Sequence, residues 1–370
     1  MKKIFVEIYL MFNLGDDLFL DILAKKYPDC QFTVNYLGVN YDTFLSHYKN
    51  VNRRKYTLIN KIGQKLRITD SITNYSKIAE EHDALLFIGG SIFREEEYHR
   101  ELYKDRNRLV KEFKKREKPT FILGANFGPY YSKEFYEDYL AFFKLCDDVC
   151  FRDKYSYELY KSLEQVRYAP DIVFQLSAKP YMEISKKNRV GFSIIDVNHK
   201  KGLSHYEEEY ISSTVKSICL FVEKGYECYL MSFCENEGDL VTINKIKSKL
   251  DKKTISKVKT YNYTGDFEEA IQLISSLKII LAARFHANIL ALILGVGLIS
   301  IIYSSKTTNM LKDLGITEVV TMDMLSLQFD DSFLEKALNN KIQIKELPNY
   351  SEGQFHKLES FIKGKTLEGV

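Results

Sequence analysis

The feature that most constrains this chain is an alternation of short, continuously apolar runs with longer stretches of helical periodicity. A strand that is apolar on both faces must be covered on both faces, and helical crossovers supply that cover, so the pattern predicts parallel sheets in an α/β protein. Strands are expected at Lys3–Tyr9, Gln31–Asn35, Ala84–Ile88, Thr120–Ala125 and Asp148–Arg152. A similar second series is expected at Arg189–Ile194, Glu227–Ser232, Val258–Thr260, Ile279–Ala283 and Leu298–Ile302. Two such series predict two Rossmann-like, doubly wound domains.

The length fits that expectation, since 370 residues, 45% of them hydrophobic, are enough for two separate cores. Between the two series, the stretch 175–187 has no clear period, contains Pro180 and runs into basic residues, which marks a linker. The expected organisation is therefore an N-terminal domain over 1–176, a C-terminal domain over 188–345, and a terminal segment over 346–370. In that segment an amphipathic helix at Glu352–Lys363 follows a break at Pro348, and by analogy with two-domain folds of this kind it packs back on the first domain.

Net charge is +3, too balanced for a nucleic-acid-binding chain but compatible with a small anionic substrate. The six cysteines form no CxxC pair and no Cys/His metal spacing, and they read as reduced core residues of a cytoplasmic protein. The N-terminal apolar run is interrupted by Glu7 and reads as a strand rather than a leader. The apolar tract Ile289–Tyr303 is shorter than the roughly 20 residues that span a bilayer, so no membrane-crossing segment is expected. The basic stretch Arg100–Lys118 reads as a helix burying Leu102, Leu109, Val110 and Phe113. Its charged side is either a solvated face or one that rests on an anionic membrane carrying a lipid-linked acceptor.

Five segments carry residues suited to chemistry. Asn13, Gly15, Asp16 and Asp17 follow the first strand, where a glycine lets backbone amides approach an anion at a helix start; a plain turn with an Asp cap is the alternative. Gly89, Gly90 and Ser91 follow another strand, and Gly124, Asn126 and Gly128 a third; three glycine-rich turns at strand ends can line one crevice. Arg152 ends an apolar strand, with Asp153 and Ser156 placed to cap the next helix, and its planar fork suits a carboxylate or phosphate; a surface pair with Asp153 is the alternative. The strongest segment holds Arg284 and His286, which emerge from an apolar strand as an apolar helix begins and so are aimed at a ligand; Tyr303 and Lys306 follow the next strand.

In this order and at these separations, the five segments resemble the polysaccharide pyruvyltransferase family over roughly residues 5–310. The most specific parts are Arg284-x-His286 with the glycines that follow, Arg152-Asp153 with Ser156, Gly15-Asp16, and Pro170-Asp171 before an apolar run. The chain departs from the family pattern at Leu14 in the first turn, at Ser91 after Gly90, and at Gly297, where a proline is frequent. The resemblance implies a glycosyltransferase-B-like fold, two domains facing across a cleft, and transfer of a pyruvyl group from phosphoenolpyruvate (PEP) to a surface-polysaccharide sugar or lipid-linked oligosaccharide as a cyclic ketal. On this reading the PEP side falls in the second domain and the acceptor side in the first. Arg152 and Arg284 hold the two anionic groups of PEP, His286 protonates its methylene carbon, and Asp16 or Asp17 takes the hydroxyl proton. Substrate contacts are expected from Asn13, Gly15, Asp17, Gly89, Gly90, Ser91, Asn126, Tyr303 and Lys306. The chemistry requires no cofactor, and a divalent ion on the PEP phosphate is neither required nor indicated by a ligand cluster.

Two other functions fit parts of the same sequence. A nucleotide-sugar glycosyltransferase of this fold would use acidic residues such as Glu235 or Glu237 near a strand end, and a non-catalytic binding protein would have kept the fold alone. An intact Arg152, Arg284 and His286 argues against the latter, because buried cations are costly without a partner. The residues leave the acceptor sugar, the ketal positions and the oligomeric state open.

Overall fold

In the computed structural model the described residues are 1–55, 74–316, 319–325, 335, 338 and 346–365. Their contacts divide the chain into two compact units. Unit one takes Met1–Leu10, Phe19–Ile172 and Asn349–Val370; unit two takes Met11–Leu18 and Val173–Pro348. The segment Met11–Leu18 thus groups with unit two, although the strand it follows belongs to unit one.

Unit one is built on a seven-stranded parallel sheet. Its strands are β1 (Lys3–Glu7), β2 (Gln31–Val34), β3 (Val51–Arg53), β4 (Ala84–Ile88), β5 (Thr120–Ala125), β6 (Asp148–Phe151) and β7 (Val166–Tyr168), in the order β3-β2-β1-β4-β5-β6-β7. Every residue of β4, β5 and β6 is buried, as a strand covered on both faces must be. The order reverses between β1 and β4, which makes their carboxyl ends the switch point of the sheet. The core on one side is strongly aromatic: Phe93, Phe127, Phe135, Tyr139, Phe142 and Phe143 meet largely edge to face.

Unit two carries a six-stranded parallel sheet of β8 (Arg189–Ser193), β9 (Glu227–Ser232), β10 (Val258–Asn262), β11 (Ile279–Ala282), β12 (Gly297–Ile302) and β13 (Val319–Thr321). Its order, β10-β9-β8-β11-β12-β13, puts the switch point between β8 and β11. The α/β fold expected from the alternation is present, and each expected strand is found within two residues of its predicted ends. The three strands that periodicity missed, β3, β7 and β13, are three-residue strands at sheet edges, too short to show a period.

The basic stretch forms the helix His99–Lys114, which buries Leu109, Val110 and Phe113. Leu102 stays only half-buried. Part of the basic set serves the fold: Arg106 lies over the Phe93 ring and donates to the Ile92 carbonyl, and Lys118 donates to the Ala79 and Glu80 carbonyls. Among the described residues no helix is long and apolar enough to cross a membrane.

At the C-terminus the expected break at Pro348 does not occur. Pro348 is the second residue of a helix at Leu347–Glu352, where a missing N–H and a fixed φ cost nothing. A short 3-10 turn, Gly353–Phe355, leads into the helix His356–Ile362, and the last predicted residues, 366–370, lie outside the described set. Gln354 is fully buried and ties this segment to the strand ends of unit one. Its side-chain oxygen accepts from the Gly124 N–H at 2.8 Å, and its amide nitrogen donates to the Ala169 carbonyl at 2.6 Å and the Pro170 carbonyl at 3.2 Å. Gln354→Leu keeps the volume but leaves those backbone groups without their partner. It is expected to lower the unfolding free energy by about 2–4 kcal/mol in a urea titration, whereas a change at an exposed residue such as Lys144→Ala should move it by less than about 0.5 kcal/mol.

Candidate functional site

The carboxyl ends of β8, β9 and β11 in unit two are held together by one buried arginine, through its backbone and its guanidinium. Arg284 leaves β11 two residues past its end, and its backbone N–H donates to the Ser193 hydroxyl at the end of β8, at 2.9 Å, so the switch point is closed by a direct bond. Its side chain donates through Nη1 to Glu237 at 2.6 Å, through Nε to Asp239 at 3.1 Å, and through Nη2 to the second Asp239 oxygen. Asp239, fully buried, also accepts from the Phe233 and Cys234 N–H groups at 3.0 Å each, which fixes the loop after β9. Glu237 further accepts from Lys200 at 2.5 Å and from Asn13 at 3.4 Å.

The first of the predicted segments docks onto this loop. The Leu14 N–H donates to the Phe233 carbonyl at 3.1 Å, the Asn236 amide donates to the Met11 carbonyl at 3.1 Å, and Asn13 caps the Gly15 N–H through its side-chain oxygen at 3.1 Å. Asp17 is buried and accepts from the Tyr263 hydroxyl at 2.7 Å, just past the end of β10; Asp16 beside it is half-buried. Gly15 is required here by contact rather than by backbone twist. A Cβ on it would stand 1.6 Å from His286 Nδ1, so its backbone lies directly against the imidazole.

His286 sits in the first turn of the helix Phe285–Ile293, for which Arg284 is the N-cap residue without supplying a side-chain cap. Phe285 packs edge-on against the His286 ring, with centroids 5.1 Å apart, and the Lys306 ammonium lies 5.9 Å from the Phe285 centroid. Lys306 is itself in the first turn of the next helix, Ser305–Asp313. Two helix starts, each carrying positive character from its leading N–H groups, thus bring His286 and Lys306 to one ring, that of Phe285. Tyr303 packs half-buried on the core of unit two.

The other predicted segments form a second cluster, inside unit one. Arg152, almost wholly buried, donates to Asp171 at 2.9 Å and to the Asn126 side-chain oxygen at 2.6 Å. Gly90 lies against the guanidinium, where a Cβ would stand 2.4 Å from Nη1, and its carbonyl accepts from the Asn126 N–H at 2.8 Å. Ser91 donates to the same Asn126 oxygen at 3.3 Å, and Gly89 joins β4 to β5 through the Leu123 carbonyl. Asp153 caps the helix Lys154–Tyr160 by accepting from the Ser156 N–H, and the Ser156 hydroxyl accepts from the Phe127 N–H. Asn13, Gly15, Asp17, Arg284 and His286 are therefore gathered in unit two, and Gly89, Gly90, Ser91, Asn126 and Arg152 in unit one. Arg152 and Arg284 belong to different units, each filled by carboxylates of its own unit.

Asp239, Lys200 and Tyr263 escaped sequence reasoning. Tyr263 directly follows β10 and Asp239 opens a helix seven residues after β9, but nothing in sequence spacing says that their partners are Asp17 and Arg284. Among the described residues no three His, Cys, Asp or Glu side chains converge as metal ligands.

The charge balance around Glu237 sets a pH dependence. Burial pushes its carboxyl up, but Arg284 and Lys200 outweigh burial and hold it well below the ordinary 4.5. A carboxyl depressed on folding contributes stability that is fully present above its unfolded value and is lost as pH falls through its folded value. The unfolding free energy should therefore decline as pH drops from about 5 to about 2, and Glu237→Gln should make that decline shallower in urea titrations across the range. Gly15→Ala should displace the imidazole at a cost of about 1–3 kcal/mol. The His286 ring-proton resonance should move in NMR spectra of the folded variant; an unmoved resonance would show that the ring is not held against Gly15.

Residues 13–305 match the family model described as polysaccharide pyruvyl transferase. The amylovoran biosynthesis protein AmsJ of Erwinia amylovora is 22% identical over 300 residues, which is 74% of this chain and 69% of that protein. Anabaena HepE, solved in complex with UDP-glucose, superposes with a TM-score of 0.62 at 12% identity, covering 98% of this chain and 100% of that one. MnaA of S. aureus, solved with UDP, gives 0.61 at 11% identity over 98% and 97%. At these identities the two structures share the fold of this chain.

Proposed function

Because this chain belongs to the polysaccharide pyruvyl transferase family, we propose that it transfers the pyruvyl group of PEP to a sugar hydroxyl pair of a bacterial surface polysaccharide and forms a cyclic ketal. The family makes the chain a transferase of polysaccharide biosynthesis. The observation that carries the proposal is His286, set in the first turn of a buried helix, pressed against Gly15 and neighboured through Phe285 by Lys306.

PEP needs cationic partners for its phosphate and carboxylate and one proton for its methylene carbon. Sequence reasoning gave the anionic groups to Arg152 and Arg284. Their forks are taken up by Asp171 and Asn126, and by Glu237 and Asp239, so both arginines are assigned a positioning role. The phosphate is assigned instead to Lys306 and the leading N–H groups of the helices Phe285–Ile293 and Ser305–Asp313, the arrangement that receives anions elsewhere. His286 then donates a proton to the methylene carbon, and the adjacent carbon becomes an oxocarbenium-like electrophile. A sugar hydroxyl adds to that carbon and gives up its proton. Loss of phosphate and addition of the second hydroxyl, which also gives up its proton, close the ketal. Asp16, half-buried, is the better placed of the two aspartates to accept a proton, since Asp17 is buried and receives the Tyr263 hydroxyl. The acceptor is a sugar or lipid-linked oligosaccharide, reached from the cytoplasmic side of the membrane, and the chemistry calls for no cofactor.

Calorimetric titration with PEP, with UDP-glucose as control, tests the donor. PEP should bind and UDP-glucose should not; the reverse result would move the chain to a nucleotide-sugar transferase. His286→Ala should bind PEP within about threefold of the parent and lose about 10²–10⁴ in turnover, whereas Lys306→Ala should weaken PEP binding. Arg284→Ala is a poor probe of binding, because it strands two carboxylates and should cost about 3–5 kcal/mol of stability.

A further inference from the structure

The helix His99–Lys114 carries a row of cations that neither the packing of unit one nor the pyruvyl-transfer reading uses. Arg100, Lys104, Arg108, Lys111 and the C-cap residue Lys115 follow one another at steps of four, four, three and four, the spacing that keeps side chains on one face of a helix. All five are exposed. The buried positions Leu109, Val110 and Phe113 fall on the opposite face, so the packing of the helix turns the row outward. At 1.5 Å per residue the row is about 22 Å long. The acids Glu101, Asp105 and Glu112 share a second line along one flank and leave the row itself positive throughout. Only its ends make ion pairs, Arg100 with Glu134 at 2.8 Å and Lys115 with Glu112 at 2.6 Å, and such surface pairs exchange readily for other partners. Among the described residues no ion pair engages Lys104, Arg108 or Lys111.

We propose that this face of unit one docks on the anionic headgroups of a membrane surface. Like charges held side by side repel one another, and a plane of anionic headgroups supplies counter-charge along the whole row at once. Each cation near such a surface strengthens binding about fivefold. Exposed aromatic side chains at the start of the helix fit the same partner. Tyr98, its N-cap residue, is 54% exposed, and Tyr131 is 62% exposed. Glu95 keeps Tyr131 near that end, accepting from the Tyr131 N–H, from the Ser132 N–H at 2.9 Å and from the Ser132 hydroxyl at 2.6 Å; the Arg100–Glu134 pair joins the same two segments. Tyrosine rings settle at the headgroup level, with the apolar body turned inward and the hydroxyl left in water. A nucleic acid also presents rows of phosphates, but a chain of net charge +3 lacks the strongly basic balance of its binders. The consequence of docking rests on the transferase reading: it brings unit one to a lipid-linked acceptor.

Co-sedimentation of the full chain with lipid vesicles tests the surface, using phosphatidylcholine alone and in equal parts with phosphatidylglycerol. At about 0.1 M salt the chain should pellet with the mixed vesicles only, and at about 0.5 M salt, where screening shortens the reach of each charge, it should be released. The triple variant Lys104→Gln, Arg108→Gln, Lys111→Gln should partition about 10²-fold more weakly. A matched variant, Lys252→Gln, Lys253→Gln, Lys257→Gln, removes three exposed cations from unit two instead and should bind as the parent does. Each variant takes three charges from +3 and has formal net charge 0, so a difference between them reports the face and not the total charge. Thermal melts confirm that both are folded. Failure of the parent to bind the mixed vesicles, equal binding to phosphatidylcholine alone, or equal effects of the two folded variants would overturn the proposal. Tighter binding of a uridine oligonucleotide at the same salt, lost in the first variant, would assign the face to nucleic acid and overturn it as well. The first variant should titrate with PEP as the parent does. Vesicle binding by a chain that binds no PEP would sink the donor assignment and leave the docking face standing, and the opposite pattern would do the reverse.

Discussion

The rest of the site depends on the buried ion cluster of Arg284 with Glu237 and Asp239. One planar guanidinium joins the end of β11 to the loop after β9, while its own N–H reaches the end of β8. Through Glu237 the cluster extends to Lys200 and Asn13, and through the Asp239 contacts it fixes the Phe233 carbonyl on which Leu14 docks. Buried ion pairs of this kind contribute little to net stability once desolvation is counted. Their value here is geometric. They set where Gly15 lies, and Gly15 sets where the His286 ring can be.

Unit one solves a similar problem with a similar device. Arg152 leaves β6 as Arg284 leaves β11, is buried, and is met by a carboxylate, Asp171, and an amide, Asn126. A glycine lies against a polar side chain in both units, Gly15 on His286 and Gly90 on Arg152. In each case the glycine is explained by close approach, since a methyl group would occupy the space of a ring or guanidinium atom. The C-terminal segment completes unit one by supplying Gln354 to backbone groups at the strand ends and the Ser351 hydroxyl to the Asp171 carbonyl.

Much of the fold was legible because its strands are long and apolar on both faces; β4 and β5 leave no ambiguity in sequence. The short edge strands were not legible, since three residues cannot display a period. Pro348 misled because proline breaks a helix in its interior but suits its first turn, and sequence alone does not say which turn it occupies. For the site, glycine turns at strand ends and the Arg-x-His at a strand-to-helix junction identified most of the residues that the structure brings together. The partners that fill the arginine forks were invisible, because Asp239 and Arg284 are separated by 45 positions and no local pattern links them.

The sequence by itself determined the α/β class, the strands, and the residue types at the strand ends, because periodicity and turn chemistry are local properties of the chain. Tertiary structure alone decided which of those residues meet. Long-range pairing carried Met11–Leu18 into unit two beside His286 and set Arg152 and Arg284 in different units. Sheet order and register fix those encounters, and both are settled by the packing of whole strands and helices rather than by any short stretch of sequence.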